Sequence, residues 1–196
     1  SISLIISTFV IFYQLHHVKS RDLGFDREQV VVINLRGQAR QKHDVFKNEI
    51  LRLPGVVNAA CSSSVPSRGR SETMFSFEGV DQKKQVFPIM EIDPDFLDTM
   101  GMELRAGRNF SPDYPSDNKA MILNETLVRH LGWDDPLGKT VSMMDLADSD
   151  DPEKGFIEVP YTVIGVVKDF HFESLHEKIR GHLMKMSGSV NRISVK

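Results

Sequence analysis

Tyr161-Thr-Val-Ile-Gly-Val-Val167, followed at once by Lys168-Asp169-Phe170-His171, is the most apolar strand-like stretch of the chain. Apolar side chains fall at odd and even positions alike, so a strand here presents them to both faces and has to be covered on both. The polar residues after it mark where the chain leaves the core. Phe170 and Phe172 keep one face anchored, while Asp169 and His171 turn toward solvent or nearby backbone amides.

Toward the N-terminus, Val30–Leu35 (VVVINL) reads as a second buried strand, ended by Gly37. Between Gln41 and Leu53 the residues Phe46, Ile50 and Leu53 recur at i, i+4 and i+7, the mark of an amphipathic helix, and Pro54-Gly55 stops it. Val56–Ser62 then reads as a strand, giving a βαβ-like unit whose helix lies across one sheet face. Phe75 and Phe77 alternate with Ser76 and Glu78 as in a half-exposed strand, and residues 79–84 (GVDQKK) form a hairpin turn before a strand over Gln85–Ile92. Asp93 is placed to cap a short helix with Phe96, Leu97 and Met100 inward and Gly101 at its end. Lys119–Leu123 is a short strand, and Asn124 caps a helix running through Leu127, Val128 and Leu131 to Gly132. Asp145–Gly155 reads as an acidic surface loop, and Leu183–Met186 and Arg192–Val195 as two short strands. The fold class is α+β, a mixed α/β architecture.

The first residues are of a different kind. Ile2–Tyr13 (ISLIISTFVIFY) carries no charge and is apolar around its whole circumference, whereas a helix buried in a globular core shows one apolar face. Twelve helical residues span about 18 Å, short of the roughly 30 Å hydrocarbon core. We read the run as the C-terminal part of a membrane helix. A signal peptide fits less well, since no basic region precedes the run and no small-residue cleavage site follows it. Tyr13 and the polar stretch Gln14–Arg21 mark the exit from the membrane. Lys19, Arg21 and Arg27 taken alone favour a cytoplasmic flank.

The whole 196-residue chain has 24 basic and 27 acidic residues, a formal net charge of -3, which argues against non-specific nucleic-acid binding. Cys61 is its only cysteine, which excludes an internal disulfide and a paired-cysteine metal site. Ser62, Ser63 and Ser64 follow a plain strand and lack a nucleophile elbow. Asp148, Asp150, Asp151 and Glu153 are interrupted by Pro152 and lack the glycine of a calcium loop. Asp169 and His171 could form an acid/base pair, but a strand end pinned by polar residues is the simpler reading. His16 and His17 are interfacial by position, His130 and His182 stand singly, and no glycine-rich phosphate loop occurs. We therefore assign no catalytic, cofactor-binding or metal-binding residues and expect no enzyme and no ATP site.

Several segments in order resemble one family. Gln14–Asp26 (QLHHVKSRDLGFD), Val30–Ile33, Leu53–Val56 (LPGV), Phe96–Arg108 (FLDTMGMELRAGR), Ile122–Thr126 (ILNET), Asp135–Lys139 (DPLGK) and Val163–His171 (VIGVVKDFH) are similar to the MacB-like periplasmic core domain of MacB/FtsX-type ABC transporter permeases. The resemblance is closest to the large permeases of Bacteroidetes-type bacteria that carry two such domains, and within them to the second. Ser67, Arg68 and Arg70 stand in a loop where such domains commonly show Pro-Gly.

The resemblance implies a membrane-exit segment over residues 1–21 and a periplasmic core over 22–196. In that core a porter-like βαβ part (27–66 with 159–196) lies near the membrane and a β-rich part (67–158) is inserted. It implies placement on the periplasmic side of a bacterial inner membrane, overriding the charge vote. The implied partners are a cytoplasmic ABC ATPase subunit or domain, a second permease copy, and a periplasmic adaptor or substrate protein, with no nucleic acid and no cofactor. The implied work is mechanical, with ATP-driven helix motion passed to export or to a partner protein. A membrane-anchored ligand sensor is the alternative from another class.

Overall fold

A computed structural model describes residues 2–19, 23–26, 29–66, 71–81, 84–146, 155–172, 177–186 and 190–196. Helix α1 (Ile2–Lys19) is continuous, and its side chains from residue 2 to 13 are all exposed. Its polar members are satisfied within the helix: Ser7 Oγ donates to Ser3 O at 2.9 Å and Thr8 Oγ1 to Leu4 O at 2.8 Å. The helix runs past the apolar segment, so the exit residues 14–19 continue it. Among the described residues, no helix is long and apolar enough to cross a membrane.

After α1 the chain forms β1 (Val31–Asn34), α2 (Gln38–Gln41), α3 (His43–Ile50) and β2 (Ala59–Ser62). There follow β3 (Ser71–Phe77), β4 (Gln85–Ile92), α4 (Phe96–Thr99), β5 (Leu104–Gly107) and β6 (Ala120–Asn124). Helix α5 (Glu125–Leu131) and strands β7 (Thr140–Leu146), β8 (Phe156–Val167), β9 (Leu183–Met186) and β10 (Arg192–Val195) complete the order.

Six strands close on themselves. The pairings run β4-β3-β7-β8-β6-β9, and β9 returns to β4 through a parallel ladder from Ile89↔Leu183 to Ile92↔Met186. Each of the six sends side chains into one buried cluster, among them Phe75, Ile89, Leu123, Val141, Val163 and Leu183. A barrel of this size is filled by its own side chains. Leu127 and Leu131 of α5 join the cluster, with Asn124 capping the helix through Oδ1, which accepts from Leu127 N, and Gly132 ending it at φ 66. A second cluster lies on the other face of β4, β6 and β9, where Met90, Ile122 and Met184 pack with Phe96, Leu97, Phe170 and Phe172.

Of the remaining strands β5 pairs antiparallel with β8, and the other three form a ribbon, β1-β10-β2, with β10 antiparallel to both neighbours. β1 and β2 are therefore parallel, and the expected βαβ-like unit is present with the late strand β10 inserted at its centre. Leu35, Ile50, Ala59 and Ile193 form the core between α3 and the ribbon. The ribbon's one strand ladder to the barrel is the pairing Ser62↔Ile92. Of the residues expected to accompany 27–66, β10 pairs with β1 and β2, whereas β8 and β9 run in the barrel.

Four expectations differ from the structure. β1 is not buried on both faces, because it is the edge of the ribbon and leaves Val31 and Ile33 exposed. The expected helix breaks at Lys42 into α2 and α3, which turns its inward side to Lys47 and Ile50 and leaves Phe46 and Leu53 exposed. Asp93 does not cap α4 with its side chain, which is instead taken by Lys47 and the Cys61 amide. β7 extends through Asp145 and Leu146 into the start of the expected acidic loop, and β8 begins at Phe156 rather than at Tyr161, directly after the loop's expected end at Gly155.

Candidate functional site

Residues 23–26, the first described stretch after α1, are fixed to the body at every position. Leu23 O accepts from His171 N at 2.8 Å. Gly24 sits at φ 75, and a Cβ there would overlap the Asp169 carbonyl oxygen and come within 2.7 Å of Phe170 Cα. Only glycine allows so close an approach in that backbone region. Phe25 packs against the cluster on the outer barrel face. Asp26 N donates to Met100 O at 2.6 Å, and Lys196 Nζ donates to Asp26 Oδ2 at 2.7 Å.

The opposite wall of this anchor is the KDFH turn, which is itself fixed. Asp169 Oδ1 accepts from Thr126 N at 2.7 Å and Oδ2 from Thr126 Oγ1 at 2.8 Å, with Arg129 paired to the same carboxylate. Asp169 N donates to Glu125 Oε2 at 3.1 Å. The carboxylate thus takes up the Thr126 amide in the first turn of α5, while Asn124 takes that of Leu127. No hydrogen bond joins Asp169 to His171, whose backbone amide instead holds Leu23. The two residues are pinned by different partners, and their geometry shows no acid/base couple.

A second polar constellation joins α3 to the barrel. Lys47 Nζ donates to Asp93 Oδ2 at 2.6 Å and Asp95 Oδ2 at 2.5 Å, and Asp93 Oδ2 also accepts from Cys61 N at 2.7 Å. Burial alone would lower the ammonium's pKa, but hydrogen bonds and charge from the two carboxylates outweigh it and raise it. Burial foremost, with the charge of Asp93, pushes the Cys61 thiol up to about 12 and leaves it inert. Elsewhere, Arg108 holds the buried Asp117 in a two-pronged pair at 2.7 Å for each bond, and that hydrogen bonding keeps the carboxyl below its usual range.

The other sequence candidates are dispersed. Ser62 and Ser64 are buried, and Ser63 Oγ accepts from Glu91 N at 2.9 Å at the joint between β2 and β4. His130 meets Gln85 Oε1 at 2.9 Å. His182 is buried against Phe170 and Phe172, and that burial brings its pKa down to about 3. His16 and His17 lie in α1. Asp148, Asp150, Asp151 and Glu153, like Ser67, Arg68 and Arg70, lie outside the described residues. Among the described residues, no three His, Cys, Asp or Glu side chains are grouped to hold a metal ion. Leu23-Gly24-Phe25 is expected from the sequence to be the stiff link into the domain, but the close backbone approach at Gly24 is not, and Lys47 is missed because a helical lysine reads as a solvated face.

Residues 1–186 match the family model of the MacB-like periplasmic core domain. The chain belongs to that family. It is a MacB-like periplasmic domain of an ABC transporter permease. The fold is similar to the periplasmic region of MacB from Actinobacillus actinomycetemcomitans, with a TM-score of 0.57 and 18% identity over 88% of this chain and 76% of that one. It is also similar to the extracellular domain of the noncanonical ABC-type transporter YknZ from Gram-positive bacteria, with a TM-score of 0.55 and 16% identity over 86% of this chain and 83% of that one. A search of curated proteins finds no match.

Proposed function

We propose that this MacB-like domain is a non-catalytic mechanical element that takes up the motion of ATP-driven membrane helices and delivers it on the periplasmic side, to export or to a partner protein. In this reading residues 1–21 are the C-terminal part of a membrane helix and its exit, and residues 22–196 form the periplasmic domain at a bacterial inner membrane. The motor is a cytoplasmic ABC ATPase subunit or domain, and a second permease copy supplies the opposing domain. The observation that carries this is the anchor at residues 23–26. Each residue there is held by a backbone hydrogen bond, a close glycine approach, core packing or an ion pair. A segment held in this way passes displacement of the preceding chain to the body with little slack.

The test is to introduce slack. Insertion of a short Gly-Ser stretch between residues 22 and 23 of the full permease leaves the domain's own contacts in place. The expected result is loss of transport, with ATP hydrolysis and the domain's melting temperature retained. Full transport with the flexible insert overturns the proposal.

A further inference from the structure

Asp26 is the residue at which the anchor meets both units of the fold. Its amide donates to Met100 O at 2.6 Å, at the end of α4. Beside it Gly101 sits at φ 62, and a Cβ there would stand only 3.1 Å from Asp26 Cβ, so the turn after α4 fits closely round Asp26. Its carboxylate reaches the ribbon, where Oδ2 accepts from Lys196 Nζ at 2.7 Å across 170 positions of sequence.

Lys196 is itself fixed by its backbone. Its carbonyl oxygen accepts from Val57 N at 2.6 Å and from Asn58 N at 3.1 Å, and its amide donates to Asn58 O at 2.9 Å. The residue continues β10 past Val195 and ties it to the chain entering β2. Of the anchor's hydrogen bonds given above, those of Leu23 O and the Asp26 amide go to the KDFH turn and to α4, and that of the Asp26 carboxylate goes to the ribbon.

The Lys196 side chain is 27% exposed and that of Asp26 41%. Solvent screens a pair this open, so it adds little to folding stability. Its position gives it another use. It closes a ring in which the entry segment, α4 and the end of β10 hold one another, and without it the last residue of the anchor loses its bond to the ribbon.

We propose that Asp26 and Lys196 are positioning residues for the mechanical role. Their ion pair keeps the entry segment aligned with the end of β10, so displacement of the preceding chain turns the domain instead of bending residues 23–26. This rests on the reading of the anchor as the point where motion enters the domain.

The test is made in the full permease reconstituted with its ATPase, with cysteines outside this domain replaced. A spin label is placed at D81C, in the exposed turn between β3 and β4. Cys61 stays unlabelled, being buried with its thiol pushed up to about 12. The distance between the labels of two permease copies is measured by pulsed electron paramagnetic resonance, without nucleotide and after trapping with ATP and vanadate. Asp26→Asn is expected to shrink the nucleotide-driven distance change to roughly half or less, with ATP hydrolysis and melting temperature retained. Lys196→Met should give the same loss, and the two together no more than either alone. Exchanging the charges, Asp26→Lys with Lys196→Asp, should restore most of the change.

A wild-type distance change in Asp26→Asn overturns the proposal, as does an exchanged pair that melts like wild type and restores nothing. A loss that follows a fall in melting temperature makes the pair structural only, and this too overturns it. The Gly-Ser insert between residues 22 and 23 separates the two levels. If the insert abolishes the distance change while Asp26→Asn does not, the ion pair is excluded and the reading of the anchor stands; if the insert leaves the change intact, that reading itself fails.

Discussion

The barrel and the ribbon solve the problem of buried polar atoms differently. Among the described residues, the buried side-chain nitrogens and oxygens without a protein partner belong to Ser62, Ser64, Asp93, Arg192, Ser194 and His182. The first five lie in the ribbon or along its joint with the barrel, and none lies in the barrel interior. Closure gives the barrel a continuous set of ladders around an apolar filling, whereas the ribbon meets it through Ser62↔Ile92 and the Lys47 ion pairs. Buried polar atoms left unpaired cost free energy, and regions that carry them open first. The barrel interior is kept apolar, whereas the ribbon and its joint carry most of the unpaired buried polar atoms among the described residues.

The largest test of this contrast is Phe75→Ala, which empties a fully buried site in the barrel. It is expected to cost about 3–5 kcal/mol in urea unfolding and to lower hydrogen-exchange protection in all six barrel strands together. Loss confined to β3 would refute a single cooperative barrel.

Lys47→Met leaves Asp93 buried without its cation and is expected to cost about 3 kcal/mol. Its exchange signature should appear in β1, β2, β10 and α3 while the barrel stays protected. Adding Asp93→Asn should restore more than half of the loss. Equal exposure of the barrel in the single variant would erase the distinction between the two regions.

His182 lies just before β9, against Phe170 and Phe172 on the outer face of the barrel, so it reports on the barrel side of the comparison. Its folded pKa is lowered by burial from 6.5 to about 3. Below pH 6.5 the unfolded chain binds a proton that the folded chain refuses. Stability from this group is therefore present above pH 6.5 and lost as pH falls toward 3, by at most ~1.4 kcal/mol per pH unit. His182→Gln should flatten that slope in melting curves taken across this window, and an unchanged slope would assign the acid sensitivity elsewhere.

The smallest effect is at the turn. Asp169→Ala is expected to cost about 1–2 kcal/mol through its bonds to Thr126, with transport surviving at matched protein levels. Wild-type stability together with abolished transport would instead make Asp169 a functional residue.

Much of this architecture is legible in local pattern. The ends of β4, β9 and β10 coincide with their apolar runs, and Asn124 and Gly132 frame α5 as cap and stop. What escapes is what depends on distant partners. β7 (TVSMMDL) is passed over because its apolar residues are spaced by Ser142 and Asp145, and its pairing with β3 supplies the missing definition. Closure of the barrel rests on β9 meeting β4, which no local signal announces. At the anchor, Asp169 and His171 are legible as strand-end structure, but the partner of each is set by tertiary approach. The close contact at Gly24 is invisible until Phe170 is placed against it.

The position of β10 carries a consequence for the order of folding. β1 and β2 are made early, yet the strand that joins them spans residues 192–195. Until those residues emerge, two strand edges stay open with Ala59, Ala60 and Cys61 unpaired. Non-local pairing of this kind is slow and exposes aggregation-prone edges. The barrel also waits on a late strand, since β9 (Leu183–Met186) must reach β4 to close it, so both units are completed only by the C-terminal part of the chain. The central strand of the ribbon is then the last strand to be added, and the edges of β1 and β2 stay open the longest.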